Sequence, residues 1–191
     1  MDLISKYLKN HNISFAIIKG IYNQDNDDVK ADVDVVLKER SSLSIFRDPI
    51  FRFINLYRFQ ERSTGVFIDL YFQFLNVGYY YYLQISNDSY DKNQVSELEY
   101  KIYLILDPLL KFSKYQLRHK KRLRRYSEGE LKEVFILLNN IIGVRLSKEL
   151  YNKIISNDFD IPMIFIKKCK FKLLFINGNF VRMCKCRFLG L

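Results

Sequence analysis

The sequence predicts an α+β protein: a small mixed β-sheet with flanking helices, followed by a basic, mainly helical C-terminal region. Three observations predict it. Short β-branched or alternating apolar runs recur between residues 14 and 85. Beyond residue 93 the apolar spacing becomes helical, and helix-start signals appear at 107–108, 127–130 and 160–162. A polar stretch, Asn87 to Asn93, separates the two patterns, so the expected division is 1–92 and 93–191.

In chain order, Leu3, Ile4, Tyr7 and Leu8 make one apolar stripe, which predicts a helix over 2–10 with Asp2 able to cap it. Residues 14–19 read as a first strand and the β-branched run 32–37 as a second. Residues 38–46 read as a short helix, stopped by Asp48-Pro49 because a residue before proline is driven out of the helical region. The alternation from Phe51 to Phe59 predicts one half-exposed antiparallel strand. Gly65 marks a turn, 66–74 a further strand, and Tyr79 to Ile85 an edge strand whose tyrosines bury ring area and keep their hydroxyls wet. Asp107-Pro108 reads as the start of a helix running to about Arg124. Ser127 and Glu130 form a capping box for a helix over 127–142. Ser147 reads as the cap of another over 147–156, and Asp160 with Pro162 opens a last one. Asn177-Gly178 closes that helix; Asn-Gly is also a hairpin signal, so two strands over 170–186 stand as the alternative.

The carboxylates carry the chemistry. Asp32 and Asp34 lie in Ala31-Asp32-Val33-Asp34-Val35-Val36, and Asp69 lies between Ile68 and Leu70. Side chains alternate along a strand, so Asp32 and Asp34 share a face while Val33 and Val35 point into the core. Carboxylates crowded on one face repel each other and lose solvation unless a cation lies between them. A divalent metal satisfies them, with Asp69 completing the set if the two strands are neighbours.

The order of these parts is a strand ending in Ile18-Lys19-Gly20, a polar loop, the Asp-x-Asp strand, and later Ile68-Asp69-Leu70-Tyr71. It resembles the nucleotidyltransferase superfamily, with its DNA polymerase β-like palm, and within it the small bacterial and archaeal nucleotidyltransferases. The resemblance covers roughly the first half of the chain. It implies Mg²⁺ or Mn²⁺ as cofactor and a nucleoside triphosphate as substrate. It assigns Asp32, Asp34 and Asp69 as metal ligands and catalytic acids, with Asp69 near the acceptor and able to help take its proton. Gly20 lets the backbone approach the phosphates. Lys19 either contacts the triphosphate or stands as an exposed strand-end lysine. Many members carry Ser or a second Gly after the glycine; here Ile21 and Tyr22 follow. That feature favours a second reading, a catalytically inactive protein on the same scaffold that binds nucleic acid or regulates a partner.

Composition bounds the rest. The 191 residues carry a formal charge of +10, and 49% are hydrophobic, which fits a folded globular chain. Residues 111–125 hold eight Lys/Arg and no acid, and residues 161–191 hold seven and no acid, so the remainder is net acidic. Such segregation points either to a polyanionic partner, RNA or another phosphate-rich acceptor, or to a solvated lysine-rich face. Lys111, Lys114, Arg118, Lys121, Arg122 and Arg125 fall at helical spacing, with Tyr115 interleaved. Lys114, Arg118, Lys121, Arg122 and Arg125 are the candidate nucleic-acid or phosphate contacts. His119 reads as an exposed helix residue. Cys169, Cys184 and Cys186 are an odd set that fits a reducing compartment. No signal-peptide pattern or membrane-length apolar run is present, so a soluble, cytoplasmic protein is expected. Phosphate-loop, dinucleotide and nucleophile-elbow motifs are absent, and the two histidines lie in no supporting motif, which leaves serine or cysteine hydrolase chemistry without a base.

Overall fold

In the computed structural model, residues 2–18, 33–55, 57–78 and 80–175 are described. The architecture is α+β. The chain divides into two compact units, Met1–Leu75 with Gln84–Tyr100, and Asn76–Leu83 with Lys101–Leu191. The first unit therefore runs past residue 92, and the second takes in the segment 76–83.

Helix α1 (Asp2–Asn10) precedes strands β1 (Phe15–Ile17) and β2 (Val33–Leu37). A 3-10 helix (Arg40–Arg47) leads to β3 (Phe51–Asn55), β4 (Arg58–Glu61) and β5 (Phe67–Phe72). These strands lie in the order β1-β2-β5-β4-β3. Only the central β2–β5 pair is parallel; the others are antiparallel. All five residues of β2 are buried, as a central parallel strand requires. One face of the sheet presents Val33, Val35, Leu37, Ile68 and Leu70 to Ile4 and Leu8 of α1 and to Phe46 of the 3-10 helix. Burying each such side chain contributes about 1.5–3 kcal/mol.

The alternating stretch 51–59 is two strands rather than one. The Asn55 side chain accepts the Tyr57 N–H at 3.1 Å, an Asx turn that reverses the chain. The expected edge strand at 79–85 is β7 (Tyr81–Gln84), and it pairs with a strand the sequence reading did not separate, β6 (Phe74–Val77). The polar break folds as a short helix, α2 (Asn87–Asp91), capped by Ser86.

The following helix, α3 (Glu97–Phe112), begins ten residues before the Asp107-Pro108 signal and carries Pro108 inside it. Its start is a capping box: the Ser96 N–H and hydroxyl donate to Glu99 at 2.9 and 2.8 Å, and the Glu99 N–H donates back to the Ser96 hydroxyl. Glu99 also accepts the Ser86 N–H at 2.7 Å and the Ser89 hydroxyl at 2.6 Å, tying α2 to α3. Burial pushes the Glu99 carboxyl up, but these hydrogen bonds outweigh it and the net shift is downward. Glu99→Ala leaves the buried Ser89 hydroxyl and three part-buried donors without this acceptor and is expected to cost about 3 kcal/mol in urea denaturation at neutral pH. Because the folded carboxyl sits below its ordinary value, the charge-dependent part of its contribution is complete above about pH 4.5 and is lost as pH falls below that, so the gap between parent and variant narrows in acid.

α3 ends where Ser113 adopts a left-handed backbone (φ 57°), and α4 (Leu117–Leu123) follows as a separate helix. Then come α5 (Glu128–Ile142), with the expected Ser127–Glu130 capping box, α6 (Val144–Ile155) and α7 (Met163–Leu174). Ser147 is not a cap. It lies inside α6, buried, and its hydroxyl donates to the Phe135 carbonyl at 2.9 Å. Pro162 stands directly before α7 and cannot continue a helix backwards. Asn177-Gly178 and most of the 170–186 alternative lie outside the described residues. α5 packs against both α6 and α7. Among the described residues no helix is long and apolar enough to cross a membrane.

Candidate functional site

The parallel pairing of β2 and β5 sets Val33 opposite Ile68, Asp34 opposite Asp69, and Val35 opposite Leu70. Residues opposite each other on neighbouring strands project to the same side. The register that buries the valines therefore turns both acids to the other face. β4 extends the row, since its Arg58 is the antiparallel partner of Asp69. Three adjacent strands thus carry Asp34, Asp69 and Arg58 in line.

The row is graded in exposure. Asp34 is 8% exposed, whereas the Asp69 side chain is 27% exposed. Arg58 Nε lies 3.5 Å from Asp69 Oδ1, and its guanidinium carbon lies 4.7 Å from the centre of the Phe67 ring. The ring stacks against the guanidinium and limits where it can swing. Neighbouring strands are about 4.8 Å apart. Two like charges at that separation repel by about 3 kcal/mol at an effective dielectric near 20. Arg58 offsets part of that cost at the Asp69 end, where its partly exposed ion pair is worth up to about 1 kcal/mol.

Of the expected acids, the structure brings Asp34 and Asp69 together. Asp32, Gly20 and Lys19 lie outside the described residues. Among the described residues, no group of three His, Cys, Asp or Glu side chains forms a metal-ligand set. The Asp34–Asp69 pair is chemically suited to a hard cation such as Mg²⁺ or Mn²⁺, which takes carboxylate oxygens. Arg58 was missed in the sequence. Its signal was the alternation of Arg58 and Gln60 with Phe59 and Glu61, which acquires meaning only once the chain reverses at Asn55 and β4 settles beside β5.

The basic candidates do not form one stripe. Lys111 lies in the last turn of α3, Lys114 lies between helices, and Arg118, Lys121 and Arg122 lie on α4, with Arg125 just beyond it. Lys114, Arg118, Lys121 and Arg125 are exposed. Tyr115 does not interleave with them; it is buried and donates its hydroxyl to the Ile105 carbonyl at 2.7 Å. His119 is also buried rather than exposed. Its Nδ1 accepts the Gln116 N–H at 3.2 Å, and its ring stacks on Phe112. Burial, then the charges of Arg118 and Arg122, lower its pKa to about 4. The sign follows: unfolded chains take up the proton near pH 6.5 and the folded protein only near 4, so stability is lost as pH falls through that window. We expect the urea-unfolding free energy to carry a loss of about 2 kcal/mol between pH 7.5 and 4.5 from this ring, after screening by solvent. His119→Gln keeps an acceptor for Gln116 and removes that component. Cys169 is buried, which pushes its thiol up to about 12, so it is an inert core residue. Cys184 and Cys186 lie outside the described residues.

Comparison with family models, with curated proteins and with solved structures returned no match.

Proposed function

We propose that the chain is a Mg²⁺-dependent nucleotidyltransferase that moves a nucleoside monophosphate from a nucleoside triphosphate to an acceptor hydroxyl. The observation that supports this most is the register of Asp34 with Asp69 on neighbouring parallel strands. Two apolar strands have no packing reason to oppose two carboxylates. Such a pair keeps its place where it serves a cation. Mg²⁺ or Mn²⁺, when bound, supplies charge neutralisation for the triphosphate and lowers the pKa of the acceptor hydroxyl.

The side chains divide the remaining work. Asp34, Asp69 and, from the sequence reading, Asp32 supply the oxygen ligands. Asp69 is the more open of the two described acids, so it is the one that faces the acceptor and takes its proton. Arg58 holds the Asp69 carboxylate in orientation through their ion pair. Gly20 and Lys19 remain the residues proposed for the triphosphate, and RNA or another phosphate-rich molecule is the proposed acceptor.

The test is incubation with each labelled nucleoside triphosphate, Mg²⁺ or Mn²⁺, and total RNA or lysate protein. Transfer by the parent that disappears in Asp34→Asn and Asp69→Asn supports the enzyme. A second reading, a non-catalytic polyanion binder, is favoured by Lys114, Arg118 and Lys121, which are exposed and make no ion pair among the described residues. Salt-sensitive RNA binding that survives both Asp substitutions, with no transfer by the parent, supports that reading instead.

A further inference from the structure

α7 is apolar on two sides. Phe165, Ile166, Cys169 and Leu173 are buried, as a core helix requires. Ile164, Phe171 and Phe175 are exposed, at 62%, 67% and 64%. Exposed apolar side chains gathered on one surface mark an interaction site more often than chance. Here Phe171 and Phe175 line a groove with α6, and their rings lie 4.9 Å apart. The groove measures about 1020 Å³, roomier than most small-ligand pockets.

Its charge is one-sided. Arg145 from α6 and Lys167, Lys168 and Lys172 from α7 line the groove against a single acid, Glu149. Cations set among exposed aromatic rings are the chemistry that holds a single-stranded nucleic acid: the rings take the base faces and the cations follow the phosphates. An acidic peptide satisfies the cations and leaves the two rings without flat partners.

We infer that the α6–α7 groove is a binding site for single-stranded nucleic acid, RNA or DNA, with Phe171 and Phe175 stacking bases and Lys168, Lys172 and Arg145 contacting phosphates. The site is independent of the acid pair and of the transferase reading. An Asp34→Asn protein binds the strand as the parent does.

The experiment is fluorescence anisotropy of a labelled oligouridylate of about 12 nucleotides with the full chain, between about 50 and 200 mM salt. Phe171→Ala with Phe175→Ala weakens binding by about tenfold or more and leaves the salt slope unchanged. Lys168→Gln with Lys172→Gln weakens binding and lowers the slope by about 1.4, the share of two phosphates on a single strand. All four side chains line an open groove, and circular dichroism of each variant checks that it is folded. The inference is overturned if the parent fails to bind at low salt, or if the phenylalanine variant binds as tightly as the parent. It is equally overturned if polyglutamate, or vesicles of phosphatidylserine and phosphatidylcholine, bind through these residues and the oligonucleotide does not displace them.

Discussion

Asp69→Asn is expected to reduce the proposed nucleotidyl transfer by about 10³-fold or more while the protein stays folded. The amide keeps the shape of the side chain and one acceptor oxygen, so the β5 pairing and the packing of Ile68 and Leu70 are undisturbed. What is lost is one negative charge from the proposed ligand set and the group proposed to take the acceptor proton, each worth several kcal/mol in the transition state. Asp34→Asn removes the neighbouring charge and gives a loss of the same order. The double variant falls little further, because groups that act on one site are not additive. Mn²⁺ binding, followed by electron paramagnetic resonance, weakens in the same variants. Melting temperatures close to the parent's separate loss of chemistry from loss of fold. Transfer that persists at parental rate in either variant rules the acid pair out as the active site.

Gly78→Ala is expected to cost about 3 kcal/mol and to lower the melting temperature by more than the same change at Gly65 or Gly129. Gly78 has φ 57°, in the left-handed region where a side chain costs about 1–2 kcal/mol. There is also no room. A Cβ there would meet the Leu110 Cβ at 2.2 Å and the Leu110 carbonyl carbon and Lys111 nitrogen at 3.0 Å. Two of those atoms belong to the backbone of α3 and cannot turn aside, so overpacking adds about 1–3 kcal/mol. The Gly78 N–H donates to the buried Asp107 carboxylate at 2.9 Å, a bond that any shift away from α3 stretches. Burial raises the Asp107 carboxyl above its usual value, so that bond offsets only part of a desolvation cost. Differential scanning calorimetry reads the outcome; a variant that melts with the parent overturns the close approach.

Much of the fold was legible because local signals agreed with tertiary packing. The stripe of Ile4, Tyr7 and Leu8 gave α1, and the Ser127–Glu130 box gave the start of α5. The acids of β2 and β5 could be placed on strands from their apolar neighbours. That they stand opposite each other could not be read, because register follows from pairing across 35 positions of chain. Arg58 was hidden for the same reason. Where two local signals compete, only packing decides. Asp107-Pro108 looks like a helix start, but Ser96 and Glu99 cap the chain earlier. The burial of Leu104, Ile105, Leu106, Leu109 and Leu110 carries the helix through the proline at a cost of about 3 kcal/mol. His119 looked like one more polar residue in a basic run, and its ring turned out to be the acceptor for the backbone N–H of Gln116 at the head of α4.

The interleaving of the two units limits how the chain can be divided. The backbone leaves the first unit after Leu75, returns at Gln84, and leaves again after Tyr100. No single cut yields either half intact. A gene fragment stopped at residue 92 forfeits Ser96 and Glu99, and with them the clamp that holds α2. One begun at residue 93 lacks the hairpin whose glycine rests on Leu110. Ribosomal synthesis meets the same constraint: the sheet that carries the acids cannot close its own unit until the first turn of α3 has emerged.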